Sequence, residues 1–393
     1  MRILSPTRLL PVCAFIATVA FVSGTGQADP TPPPCMKPCP APPSWFPVTP
    51  KPLYEKPDPD SDCDFYKAAW QTLLYITQPD TPSGTMARFL SFETKDDLYG
   101  GQVASRFPKA GKPTLLLAPR LKKQKMPLSS SDILQAQSQG LLVDKSGRAV
   151  YYSIHLNDVF ANFIRSNGYT DFIKSKFAPG DYEFPRGSLE LKASWRIVPD
   201  DEPAEVTAKY FVVSDAMVSK LKLNANGQIE IDPNDTASAR VALLGIHVVA
   251  ILDGHPEFVW ATFEHSDNAP DGSTKGDNTA NQDPDKPIDT KGKEFILYKK
   301  GTIASECNNF GAADVKNLKL NEKTQTLSPP SRVFRLFPFG EDESPCTIQD
   351  LNDSVHQQIL ALKTKIPKAQ FDRLSVWRNY DLKGAIWLNN PAY

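Results

Sequence analysis

The stretch GIHVVAILDGHPEFVWATFEH, residues 245–265, predicts an antiparallel β-hairpin. Two runs rich in apolar residues flank the segment Asp253–Glu257, which we take as a five-residue loop. Leu252 then pairs with Phe258, and every further pair across the hairpin follows from that register. Three of the five histidines of the chain lie in this stretch, so the geometry of the hairpin decides what those side chains can do.

This register predicts that two of the three histidines share one face of the sheet. His247 opposes Phe263 and Gly245 opposes His265, which places His247 and His265 diagonally on the same side. His255 lies in the loop, away from both. Gly245 would leave room for the ring of His265.

Other segments repeat the strand pattern. SLELKASWRIV, residues 188–198, alternates apolar and polar side chains, as a half-buried strand does. Further strands are predicted in residues 147–156, 208–218, 239–252 and 257–265, and helices in residues 62–76, 155–168 and 351–365. Because strands outnumber helices and do not alternate with them, we expect an α+β fold with a mainly antiparallel sheet and several packed helices.

The N-terminal residues predict an exported protein. Residues 1–28 combine a positive start, an apolar run and small residues before Asp29, which is the pattern of a signal peptide cleaved after Ala28. Residues 29–62 hold thirteen prolines and predict an extended linker or a surface arm. One globular domain, or two packed lobes, is expected over residues 63–393, with a surface loop at 266–293.

The composition excludes some partners. The chain has 44 basic and 45 acidic residues, without the basic excess that nucleic-acid binding favours. No segment after the predicted signal peptide is apolar for long enough to cross a membrane. We therefore expect a periplasmic or secreted protein with an unknown small molecule or a periplasmic redox protein as its partner.

The cysteines predict disulfides and no covalent haem. Five remain after cleavage at Ala28, namely Cys35, Cys39, Cys63, Cys307 and Cys346. We expect Cys307 to pair with Cys346, and Cys39 to pair either with Cys35 or with Cys63. The chain has no C-x-x-C-H motif, which a covalently attached haem needs.

The predicted histidine face has three interpretations. His247 and His265 could bind a metal with a third ligand from Asp267, Glu190 or His155. They could also form a proton-transfer or small-molecule site, or be buried for structural reasons. Glu190 and Lys192 share a face of their own strand, which is either an exposed salt-bridged surface or the lining of a cleft with the two histidines.

Several stretches together resemble a family of secreted bacterial proteins that are mostly uncharacterised and often labelled cytochrome c family. They are YYSIHLNDVFANFI, FPRGSLELKASWRIV, VALLGIHVVAILDGHPEFVWATFEHSDNAP and VWRNYDLKGAIW. Longer members look as though they continue past the equivalent of VWRNY into a haem-attaching C-x-x-C-H. The resemblance implies a periplasmic binding or electron-transfer-associated protein. The alternative is a metal- or histidine-dependent enzyme with its site on the His247/His265 face.

Overall fold

The computed structural model describes residues 38–46, 57–58, 61–79, 84, 86–99, 115–119, 141–170, 183–272, 282–308, 317–336 and 345–387. The predicted signal peptide and Cys35 lie outside these residues. Among the helices described, none is long and apolar enough to cross a membrane.

A mixed, mostly antiparallel sheet organises the chain. Its strands are β1 (Glu93–Thr94), β2 (Leu116–Pro119), β3 (Tyr151–Leu156), β4 (Leu189–Ile197), β5 (Val212–Leu223), β6 (Ile229–Leu252), β7 (His255–His265) and β10 (Tyr380–Ile386). The order is β1-β3-β2-β5-β6-β7-β10, and β4 joins β3 to β6. A separate short hairpin comprises β8 (Lys319–Asn321) and β9 (Thr326–Ser328). The predicted α+β class is confirmed.

Strand β6 is long enough to serve three neighbours. Residues 229–242 pair with β5, residues 241–250 pair with β4, and residues 245–252 pair with β7. Because β2 bridges β5 and β3 while β3 pairs with β4, the pairings form a closed ring of five strands. Strands β7 and β10 extend the sheet from this ring, and the candidate site lies where they meet β4 and β6.

The helices begin at short polar side chains, as the sequence predicts in kind. They are α1 (Asp62–Thr77), α2 (Lys95–Tyr99), α3 (Asp158–Ser166), α4 (Ala204–Thr207), α5 (Pro345–Ala361) and α6 (Lys368–Ser375). Asn157 caps α3 by accepting the Phe160 N–H. Ser61 rather than an aspartate caps α1, where its side chain accepts the Asp64 N–H.

Helices α1 and α5 cover one face of the sheet and bury the main core. The apolar side of β4, including Leu189, Leu191 and Trp195, is completely buried there. Asn352 of α5 links three elements at this interface. Its Oδ1 accepts from Trp70 Nε1 at 2.8 Å and from the Leu382 N–H at 3.0 Å, and its Nδ2 donates to the Leu382 carbonyl.

Part of the Pro-rich segment is a structured arm. Cys39 forms a disulfide with Cys63, so the alternative pairing of Cys39 with Cys35 is wrong. The arm also bonds to α5, because the Cys39 N–H donates to Asp350 at 2.6 Å and the Ala41 N–H donates to Ser354 at 3.0 Å. Residues 38–46 therefore pack against the domain instead of forming a free linker.

Two further predictions need correction. Cys307 is a buried free thiol, so the predicted Cys307–Cys346 disulfide is wrong. The segment 266–293 is a surface loop only in part, because Asn268 and Ile288 are buried in its described portions. Ile288 packs in a small apolar cluster with Tyr298 and its neighbours, which the Asp- and Gly-rich composition of the segment conceals.

Candidate functional site

The β6–β7 hairpin has a two-residue turn, and the predicted five-residue loop is wrong. Leu252 pairs with His255, leaving only Asp253 and Gly254 between the strands. Gly254 has a φ of +64°, which Asp-Gly turns of tight hairpins require. The Asp-Gly pair was the signal in the sequence that could have fixed this turn.

The tight turn and a bulge next to it change the register. Between the pair Leu252/His255 and the pair Ala250/Val259, β7 carries two more residues than β6. His247 consequently opposes Thr262, and Gly245 opposes Glu264. Because His265 and Thr262 are an odd number of residues apart on β7, His265 and His247 lie on opposite faces.

His265 belongs to the buried, structural side of the sheet. Its ring stacks on Tyr210 at 3.7 Å between centroids and meets the edge of Tyr380 at 4.9 Å. Nδ1 accepts the Asp267 N–H, so Nε2 carries the proton and donates to the Lys209 carbonyl. Burial lowers the pKa of His265 to about 4, which keeps the ring neutral.

His155 also lies on the core face, away from His247. Its Nε2 contacts the Ser153 hydroxyl at 2.9 Å, and that hydroxyl accepts from Trp195 Nε1. Burial lowers the pKa of His155 to about 4. His255 packs against the edge of Phe65 at 5.2 Å. The prediction that His255 does not join His247 and His265 in one site is therefore consistent with the structure.

The predicted metal ligands do not converge. Asp267 forms an ion pair with Lys293 at 2.7 Å, and its backbone serves the ring of His265. Burial alone would raise the pKa of Asp267, but Lys293 and His265 hold it below its ordinary value. Within the described part of the chain, no three His, Cys, Asp or Glu side chains stand close enough to hold a metal ion.

His247 instead belongs to a line of hydrogen-bond donors across four strands. Lys192 of β4 opposes His247 of β6, and His247 opposes Thr262 of β7. Lys383 continues the line on β10, where a bulge sets it beside the pair Gly384/Thr262. We call Lys192, His247, Thr262 and Lys383 the donor row. Residues that oppose one another on adjacent strands point to the same face, so the four side chains form one array.

The donor row is buried at its ends and half-buried in its middle. His247 Nδ1 lies 2.8 Å from the Thr262 hydroxyl, and both residues are half-buried. Lys192 is 4 % exposed and Lys383 is 8 % exposed, whereas lysine is rarely buried in folded proteins. The prediction of an exposed salt-bridged face is therefore wrong for Lys192, and the cleft-lining alternative describes its position better.

Carboxylates accompany the donor row at both ends and in the adjacent row. Glu190 lies 4.0 Å from the Lys192 ammonium, and Asp381 lies 3.3 Å from that of Lys383. Glu264, one pair further along β7, bonds to Arg335 at 2.7 Å. Burial would raise the pKa of Glu264, but the charge and hydrogen bond of Arg335 outweigh burial and lower it.

Apolar clusters flank these polar residues on the same face. Towards α3 lie Leu98, Leu156, Phe160, Ala161 and Ile164, with Phe184 and Phe258 against them. Towards the other end lie Val150, Val198, Tyr210, Ala242, Leu244, Ile296 and Leu297. The sheet can therefore bury apolar side chains on this face, and it places charged ones only in the middle.

Gly245 opens the face next to His247. A Cβ atom at this position would lie 2.8 Å from the Phe263 carbonyl oxygen and 3.6 Å from the side chains of Ser194 and Glu264. Only glycine fits such a close approach of two backbones, which accompanies the bulge in the β4–β6 pairing. The predicted role of Gly245, making room for the His265 ring, is wrong.

Comparison with known proteins adds no match. No family model, no curated protein and no solved structure matches this chain. The function must therefore be argued from the geometry of the donor row and its surroundings.

Proposed function

We propose that this chain is an exported protein that binds a small polar molecule on the donor row. The observation that carries the proposal is the alignment of two buried lysines with a half-buried histidine and threonine in one line across the sheet. Removing a charged group from water costs several kcal/mol, and well-packed apolar residues of similar volume often serve stability equally well. The apolar clusters on the same face are consistent with that alternative, so the charged middle calls for a role beyond folding.

The chemistry of the row suits binding. Lysine ammonium groups donate only, whereas the imidazole of His247 and the hydroxyl of Thr262 can both donate and accept hydrogen bonds. Trp260, two residues from Thr262 on the same face of β7, is partly exposed and offers an apolar surface beside them. A few fixed polar groups next to an aromatic side chain are typical of small-molecule sites.

Export is supported by two observations of different kinds. The first 28 residues have the composition of a signal peptide. The Cys39–Cys63 disulfide fits an oxidising compartment, since such bonds are rare in the cytosol. The electron-transfer role that the family resemblance implies draws no support from the donor row, and the binding role is the one we propose.

A ligand screen with matched variants tests the proposal. Thermal denaturation is followed with a panel of carboxylates, phosphates, neutral polyols and amines, for the unmodified protein and for Thr262→Val. Thr236→Val on the β5–β6 hairpin is the control. We expect at least one compound to raise the melting temperature of the unmodified protein and of the control, and to raise that of Thr262→Val clearly less. If no compound has this effect, the binding function is wrong.

A further inference from the structure

Building on the proposed binding function, we infer that the ligand is a small organic anion whose carboxylate or phosphate group lies on the donor row. The four members of the row can all donate a hydrogen bond, and an oxyanion is a pure acceptor. Hydrogen bonds between charged partners are shorter and about twice as strong as neutral ones. The row therefore offers an acid group more than it offers a neutral or cationic one.

The spacing of the strands places an acid group in the centre of the row. Adjacent strands lie about 5 Å apart, so the row from β4 to β10 is about 14 Å long. An acid group at the His247–Thr262 pair would have a lysine-bearing strand on either side, at about one strand spacing. Burial of Lys192 and Lys383 strengthens this attraction, because charges interact more strongly away from bulk water.

The positions of the carboxylates indicate what the rest of the ligand carries. Glu190 and Asp381 stand at the two ends of the row, next to Lys192 and Lys383. Glu264 lies in the adjacent row, where Arg335 holds it. A hydroxyl or amino group on the ligand could donate to one of the end carboxylates while the acid group occupies the centre. A hydroxy acid or an amino acid fits this arrangement better than a bare acid or a polyanion.

Calorimetric titration of purified protein distinguishes the chemical classes. Lactate, gluconate and glycine represent carboxylates with hydroxyl or amino groups, and acetate is the bare acid. Glycerol 3-phosphate and inorganic phosphate represent phosphates, glucose and glycerol are neutral, and ethanolamine is the cation. We expect a carboxylate or phosphate with a hydroxyl or amino group to bind at least tenfold more tightly than the neutral compounds and the cation.

Two lysine variants assign the binding to the row. Lys192→Met keeps the apolar stem and removes the charge, and we expect it to weaken binding of the anion at least tenfold. Lys220→Met, which breaks an exposed ion pair with Asp235 on the β5–β6 hairpin, should leave binding unchanged. Circular dichroism confirms that both variants are folded.

The outcomes separate this inference from the function on which it rests. Binding of a neutral or cationic compound that Thr262→Val weakens, without binding of any anion, overturns the inference and leaves the binding function intact. Anion binding that Lys192→Met does not weaken also overturns it. If no compound of any class binds, both the inference and the proposed function are wrong.

Discussion

At the scale of single residues, the same side-chain type serves opposite purposes on the two faces of the sheet. His265 and His155 are buried among aromatic rings and held neutral, whereas His247 sits between Lys192 and Thr262. Composition and spacing along a strand cannot separate these environments, because the face of each histidine depends on bulges and turns elsewhere. The number of histidines in the hairpin was informative, but their grouping into one site was not.

The two buried histidines should make stability depend on pH. Burial lowers the pKa of His155 and His265 to about 4, below the unfolded value of 6.5. The unfolded chain then binds more protons between pH 6.5 and 4, so the free energy of unfolding falls as the pH is lowered through this window. Each histidine contributes up to about 3 kcal/mol at neutral pH. Urea denaturation at pH 7 and pH 5 measures the difference.

Asp144 provides a control for that prediction. Burial raises its pKa to about 6, so the folded protein takes up this proton more readily than the unfolded chain and gains stability below pH 6. Asp144→Asn should therefore steepen the loss on acidification, and His155→Gln should reduce it. Equal stability at pH 7 and pH 5 in the Asp144→Asn variant would contradict the assignment of neutral buried histidines.

Asn352 is the polar residue on which the α1–α5–β10 interface depends most. Removing its side chain leaves the Trp70 indole N–H and both backbone groups of Leu382 without their partner in a buried position. We expect Asn352→Ala to lower the free energy of unfolding by about 2–4 kcal/mol. Asn226→Ala, at an exposed turn, should change it by less than about 0.5 kcal/mol. Chemical denaturation compares the two, and a similar small effect for both would show that Asn352 is not a hub.

At the scale of elements, strands were easier to predict than their pairing. The alternation in residues 188–198 identified β4 and its buried side correctly, because a period of two leaves little choice. The register of β6 against β7 was wrong by one residue, since it depends on the Asp253–Gly254 turn and the bulge beside it. The line Lys192–His247–Thr262 joins three strands and could not be derived without those registers. The residues at two of these positions were nevertheless among the predicted site candidates.

The arm is the element whose attachment can be tested most simply. The Cys39–Cys63 disulfide closes a loop over a sequence separation of 24 residues, which corresponds to about 3 kcal/mol of stabilisation by restriction of the unfolded chain. Cys39→Ser/Cys63→Ser should lose about this amount in a denaturation experiment. Dithiothreitol should produce a comparable loss in the unmodified protein and little further loss in the double variant. A double variant as stable as the oxidised protein would mean that the arm adds nothing to the fold.

At the scale of the whole molecule, the two faces of the sheet divide the work between them. One face packs against α1 and α5 with Trp70, Trp195 and Phe263 completely buried, and it accounts for the core that the apolar pattern predicts. The other face is apolar towards both ends and charged between them. Folding requires the first arrangement, while the second costs stability unless the charged residues have another use. The proposed binding function rests on this difference between the faces.

The most direct test of the account is the NMR spectrum of the histidine side chains during titration with the anion that binds most tightly. We predict that the ring signals of His247 shift with ligand concentration, while those of His265 and His155 stay unchanged, because only His247 lies on the donor-row face. In Lys192→Met, the same ligand concentrations should leave the His247 signals nearly unmoved. Joint shifts of His247 and His265, or a His247 signal that no bound ligand moves, would contradict the placement of the site on the donor row.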